Sequence, residues 1–130
     1  MERLKERLAI ARQALGTLRE ILDEKKTHIV RDATIQRFEY TYEAVWKAAQ
    51  LFLRIQEGME TGSPKSSIRD SLQVGLLTDQ QAQTALRMAD DRNLTVHTYN
   101  EALAEAIYSR VAPYADLMEV GIQRMEGRLS

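Results

Sequence analysis

Leu4-Lys5-Glu6-Arg7-Leu8-Ala9-Ile10-Ala11-Arg12-Gln13-Ala14-Leu15-Gly16-Thr17-Leu18-Arg19-Glu20-Ile21-Leu22 places Leu4, Leu8, Ala11, Leu15, Leu18 and Leu22 at alternating spacings of four and three. That spacing puts them in one apolar stripe along a helix, with charged and amide side chains opposite. The stripe stops at Asp23-Glu24-Lys25-Lys26, a solvated helix end. The same period continues along the chain. From about Val30 to Glu57 a second helix is predicted, its stripe formed by Ile35, Phe38, Tyr42, Val45, Ala49, Phe52 and Ile55. Tyr40 and Trp46 lie off that seam, so this helix has neighbours on two sides, one of which could be another chain.

Gly58-Met59-Glu60-Thr61-Gly62 breaks the pattern. Ser63-Pro64 then reads as an N-cap followed by proline at the first helical position. A short helix runs through Ile68 and Leu72 to a cap at Gly75. Thr78 and Gln81 have capping-box spacing and open a further helix through Ala82, Ala85, Leu86 and Ala89. Thr98 and Glu101 repeat that spacing and predict the start of the last helix, which runs to about Arg128. Its inner side would hold Leu103, Ile107, Val111, Tyr114, Leu117, Ile122, Met125 and Leu129, and Pro113 should kink it or remove a bond. The expectation is an all-α antiparallel up-and-down bundle of three long helices and two short ones, the short pair completing a fourth arm. Residues 1–130 read as one such domain.

Composition bounds the rest. The chain has 130 residues and a net charge of −1, from 18 Lys+Arg against 19 Asp+Glu. A folded surface of roughly 7,000 Å² is expected for a chain of this mass, enough for a core without staples. There is no cysteine, so disulfides, thiolate zinc sites and a thiol nucleophile are excluded. No apolar run approaches the roughly 18 residues needed to span a bilayer, and the charged N-terminus lacks a signal-peptide pattern. A cytoplasmic, membrane-free protein is expected. Near-neutral charge argues against a whole surface that grips nucleic acid, while leaving room for a local basic patch.

The chemistry-bearing residues gather in Arg92-Asn93-Leu94-Thr95-Val96-His97-Thr98-Tyr99. In an unbroken helix Arg92 and His97 would point about 140° apart. A cap at Thr98 would interrupt the helix and let them converge, with His97 and Tyr99 on one side. Arg offers a planar fork for phosphate oxygens, and His moves protons near neutral pH. Together they suit attack by a ribose 2′-hydroxyl on the adjacent phosphate of RNA, with no metal and no cofactor. The plainer reading of the same residues is a loop Arg paired with Asp90 or Asp91 and a His bonded to backbone. His28 reads as a solvated turn residue. Glu39, Glu43 and Lys47 read as an exposed face with a Glu43–Lys47 pair. Met88, Met118 and Met125 read as core fillers.

Arg31-Asp32-Ala33-Thr34-Ile35-Gln36-Arg37-Phe38-Glu39-Tyr40-Thr41-Tyr42-Glu43, followed by Trp46-Lys47, resembles the second helix of the nucleotidyltransferase substrate-binding proteins. Ser63-Pro64-Lys65, Gly75-Leu76-Leu77 and Arg92 through Glu101 match the same family in the same order. That family lies in the HEPN superfamily and includes the HepT toxins. The resemblance implies a homodimer in which the Arg–His motifs meet at a cleft. It implies a metal-independent ribonuclease toxin using Arg92, Asn93 and His97. It also implies a partner minimal nucleotidyltransferase, in a heterotetramer with the dimer, that neutralises the toxin by transferring AMP to Tyr99. The alternative it carries is a non-catalytic substrate-binding subunit of a two-component nucleotidyltransferase. The chain departs from these relatives at Thr84 and Ala85, where a tryptophan is frequent.

Overall fold

The computed structural model describes residues 1–129. Five α-helices account for the described residues: α1 (Glu2–Leu22), α2 (His28–Glu57), α3 (Pro64–Gln73), α4 (Asp79–Leu94) and α5 (Glu101–Gly127). A single 3-10 turn, Thr95–His97, continues α4. The accessible surface is 7032 Å², as size scaling predicts for a folded chain of this mass. No described helix is long and apolar enough to cross a membrane.

Side-chain contacts give the directions of the helices. Tyr40 and Arg37 of α2 both bond Thr17 of α1, and Leu4 and Leu8 pack with Ala48, Leu51 and Phe52, so α1 and α2 are antiparallel. Arg12 pairs with Glu119 and Glu126, and Arg19 with Asp116, so α1 is also antiparallel to α5. Arg31 meets Glu101, and Phe38 stacks on Tyr114 at 5.7 Å. Helices α2 and α5 are therefore parallel. Helix α4 packs antiparallel to α5, with Asp91 on Arg110 and Gln81 on Arg124. Helix α3 packs beside it, against both α2 and α4.

The predicted stripe of α1 is buried from Leu4 to Leu18, but Ile21 rather than Leu22 closes it. Helix α2 starts two residues earlier than its apolar pattern, because the Thr27 hydroxyl accepts from the Val30 amide. Its stripe drifts. Ile35, Phe38, Tyr42 and Phe52 are buried, while Ile55 is exposed and Leu51 and Leu53 are buried in its place. At this end of α2, Ala48, Leu51 and Phe52 pack with Leu4 and Leu8 of α1, Met125 of α5 and Leu76. Trp46 is half-buried against the main core, so its neighbours are intramolecular; Tyr40 stays exposed. Both short-helix starts follow the sequence: Ser63 and Thr78 make full capping boxes. Gly75, at φ 78°, supplies the left-handed turn that ends α3. Pro113 lies within α5 on its exposed side.

Beside Ala85 the bundle is incompletely filled. An apolar cavity of about 70 Å³ is lined by Trp46, Ala49, Ile68, Ala85, Met118 and Gly121.

Candidate functional site

Arg92 occupies the last turn of α4, and His97 ends the 3-10 turn that follows. The predicted cap at Thr98 is not formed. Its hydroxyl donates to the Thr95 carbonyl at 3.0 Å, which stabilises the tight turn instead. Asn100 caps α5, with its side-chain oxygen accepting from the Leu103 amide at 3.1 Å. Asn is at least as good a cap as Thr, and it lies one residue before the helix. The break between α4 and α5 is consequently Thr95 to Asn100.

That break brings His97 and Tyr99 together. Their rings meet edge to face at 5.9 Å, and the Tyr99 hydroxyl lies 3.5 Å from His97 Nδ1. Both are exposed, Tyr99 to 82%. Asn93 is exposed on α4. Arg92 is held differently. Its Nη1 donates to Thr95 Oγ1 at 3.3 Å, and its Nη2 lies 3.6 Å from Glu43 Oε1. Its Nε is buried without a partner. A buried guanidinium N–H with no acceptor is uncommon, and here it belongs to the residue whose sequence context suggests a phosphate ligand. Among the described residues no hydrogen bond or ion pair joins Arg92 to His97.

The plainer sequence reading of Arg92 fails on its partners: Asp90 pairs with Lys65 and Asp91 with Arg110. The expected Glu43–Lys47 pair is also absent among the described residues. Glu43 faces Arg92 instead, and accepts from Trp46 Nε1 at 3.3 Å.

Two clamps fix the turn, and local spacing carries no sign of their long-range partners. Asp91 accepts from Arg110 at 2.7 and 2.8 Å and from the Tyr114 hydroxyl at 2.5 Å. Burial alone would push this carboxyl up. The hydrogen bonds from Arg110 and Tyr114 outweigh it and hold Asp91 below the usual carboxylate range. Burial, together with the same hydrogen bond, pushes the Tyr114 phenol well up. On the other side Arg31, 2% exposed, donates to Glu101 at 2.6 Å and to Asp32 at 3.0 Å. Asp91 thus ties the end of α4 to α5, and Arg31 ties the start of α5 to α2. His97 and Tyr99 sit on the short segment between the two anchors.

Comparison with known proteins adds four relations. The family described as nucleotidyltransferase substrate binding protein like matches residues 6–127. A Haemophilus influenzae protein named probable ribonuclease HepT is 34% identical in an 82-residue alignment that covers 59% of this chain. The match spans 54% of that relative's length. A solved structure from Thermus thermophilus is 55% identical, with a TM-score of 0.86 over 88% of this chain and 98% of that one. A tri-AMPylated Shewanella oneidensis HEPN toxin, solved in complex with an MNT antitoxin, shares the fold at 19% identity. Its TM-score is 0.78 over 96% of this chain and 97% of that one.

Proposed function

Because the chain belongs to the nucleotidyltransferase substrate binding protein family, we propose that it is the HepT-like toxin of a toxin–antitoxin pair, a metal-independent RNA endonuclease acting through Arg92, Asn93 and His97. The observation that carries this reading is the exposed His97–Tyr99 pair, one turn beyond an Arg92 whose buried Nε has no acceptor.

The mechanism follows from the groups present. Arg92 presents its Nη donors and its positive charge to an oxygen of the scissile phosphate, a charge-assisted hydrogen bond. The ribose 2′-oxygen attacks phosphorus and the bond to the 5′-oxygen breaks. His97 takes the 2′-hydroxyl proton, and a histidinium donates a proton to the departing 5′-oxygen. The products are a 2′,3′-cyclic phosphate and a 5′-hydroxyl. Asn93 orients the phosphate by an amide hydrogen bond. One chain leaves Arg92 and His97 unconnected, and Leu94, Val96 and Tyr99 leave apolar surface around them. A second copy covers that surface and closes the cleft. The partner minimal nucleotidyltransferase silences the dimer by modifying Tyr99. The phenol oxygen attacks the α-phosphorus of ATP, pyrophosphate leaves, and the phenolic proton passes to a base. The added AMP sets negative charge within reach of His97, where an RNA phosphate must enter.

The family description itself supports a second reading, a non-catalytic binding subunit of the nucleotidyltransferase. Incubating unmodified protein with total RNA in EDTA, beside His97→Ala, separates the two. Cleavage by wild type alone, leaving cyclic-phosphate ends, is the expected result. No cleavage by a verified dimer of unmodified protein overturns the nuclease reading in favour of the binding subunit.

A further inference from the structure

Apart from Lys5, exposed on α1 and outside the groove described next, the cations of α1 and α2 divide into two groups. Arg12, Arg19 and Arg31 pair with carboxylates, and Arg37 donates to the Thr17 carbonyl. Arg3 and Arg7 of α1, with Lys47 and Arg54 of α2, make no ion pair or hydrogen bond among the described residues. These four line one groove at the open end of the α1–α2 pair, floored by buried Leu51. In a chain of net charge −1, four unneutralised cations in one groove repel each other unless an anion lies between them. A concave site lined by one sign of charge concentrates that field.

The groove leads to the candidate site. A shallow depression shares Arg7 and Lys47 with it and ends at Glu43. Glu43 is the one carboxylate lining either hollow, and it is turned toward Arg92. Along α2, Lys47 lies about 6 Å from Glu43 and Arg54 about 16 Å from it. The whole track matches roughly five stacked nucleotides of a single strand at 3.4 Å each. Resting on the nuclease reading above, we infer that Arg3, Arg7, Lys47 and Arg54 form a second RNA-binding site, which holds backbone phosphates flanking the cleaved bond. An acidic protein surface would also satisfy the charge. The adjoining depression reaches Glu43, the ion-pair partner of Arg92, which favours the polymer that Arg92 itself engages.

The test is fluorescence anisotropy of a labelled 12-nucleotide 2′-O-methyl RNA, which cannot undergo the cleavage, titrated across salt concentrations. Wild type is compared with Arg7→Gln/Lys47→Gln and with the control Lys25→Gln/Arg69→Gln, which loses equal charge elsewhere. The groove variant should bind about tenfold more weakly at low salt. Its log-affinity slope against log salt should be shallower by about 0.7 for each phosphate no longer neutralised. The control should bind within about twofold of wild type. Circular dichroism checks that each variant is folded. Equal binding by groove variant and control overturns the inference, as does wild-type protein that fails to bind. Equal RNA binding with lost capture of the nucleotidyltransferase overturns it in favour of a protein partner. The nuclease reading fails separately: salt-dependent groove binding with no RNA cleavage leaves the groove site standing and removes the catalysis.

Discussion

Asp91 is 3% exposed and carries three hydrogen bonds from Arg110 and Tyr114. Asp91→Ala strands a partly exposed guanidinium and a buried phenol at once. Breaking such a pair costs about 3 kcal/mol, so urea unfolding should show that loss, and His97 should lose its fixed position. The pH dependence follows from the depressed carboxyl. Its folded pKa lies below the ordinary value of 3.8, so the unfolded chain binds the proton more readily. The stabilisation is complete above that ordinary value and disappears as pH falls through the folded pKa. Acid unfolding of wild type should steepen below pH 3.8, and Asp91→Asn should flatten it. Glu43 behaves differently. Its pair with Arg92 is long and partly exposed, so Glu43→Gln should shift stability by under about 1 kcal/mol. The freed Arg92 should bind RNA phosphate more tightly, lowering KM in initial-rate assays while the thermal melt stays near wild type. Arg92, His97 and Tyr99 are legible in the sequence because they lie within eight positions. Asp91 is not, since its partners lie 19 and 23 residues away and no local spacing points to them. The expected partner of Glu43 fails for the same reason: Lys47 satisfies the helical rule, but the nearer cation in space comes from α4.

Helix starts obey local chemistry, so Ser63 and Thr78 are legible. The start of α5 is not, because two capping patterns overlap and the 3-10 turn takes the Thr98 hydroxyl. Asn100→Ala should therefore cost about 1 kcal/mol. Thr98→Ala should cost less, since only a turn hydrogen bond is lost; paired thermal melts check the order. The drift of the α2 stripe is also hidden. Periodicity reports a single buried face, whereas α2 packs against α1, α5 and α3. Helix α5 carries a correctable weakness. Gly121 sits in mid-helix, lines the cavity beside Trp46, and a methyl group there meets nothing within 4 Å. Glycine in a helix interior costs roughly 1 kcal/mol against alanine. Gly121→Ala should raise the unfolding free energy by about that amount in urea titration. A lowered midpoint would mean that the Trp46 wall collapses inward in solution.

At the scale of the whole molecule, the bundle puts its anchored core on one side of the 95–100 turn and bare apolar surface on the other. Val96 is 68% exposed and Leu94 40% exposed, and neither contributes to the core. Val96→Glu should consequently leave monomer stability within about 0.5 kcal/mol of wild type. In a dimer that covers this turn the same change buries a carboxylate without a partner, which is costly. Light scattering should give wild type twice the chain mass of 14.9 kDa at micromolar concentration, and Val96→Glu the single mass with an unchanged thermal melt. RNA cleavage should vanish with the dimer, because Arg92 and His97 within one chain share no bond. Cleavage by a verified Val96→Glu monomer would place the whole reaction inside one chain, and the turn would then have to bring His97 to Arg92 by its own motion.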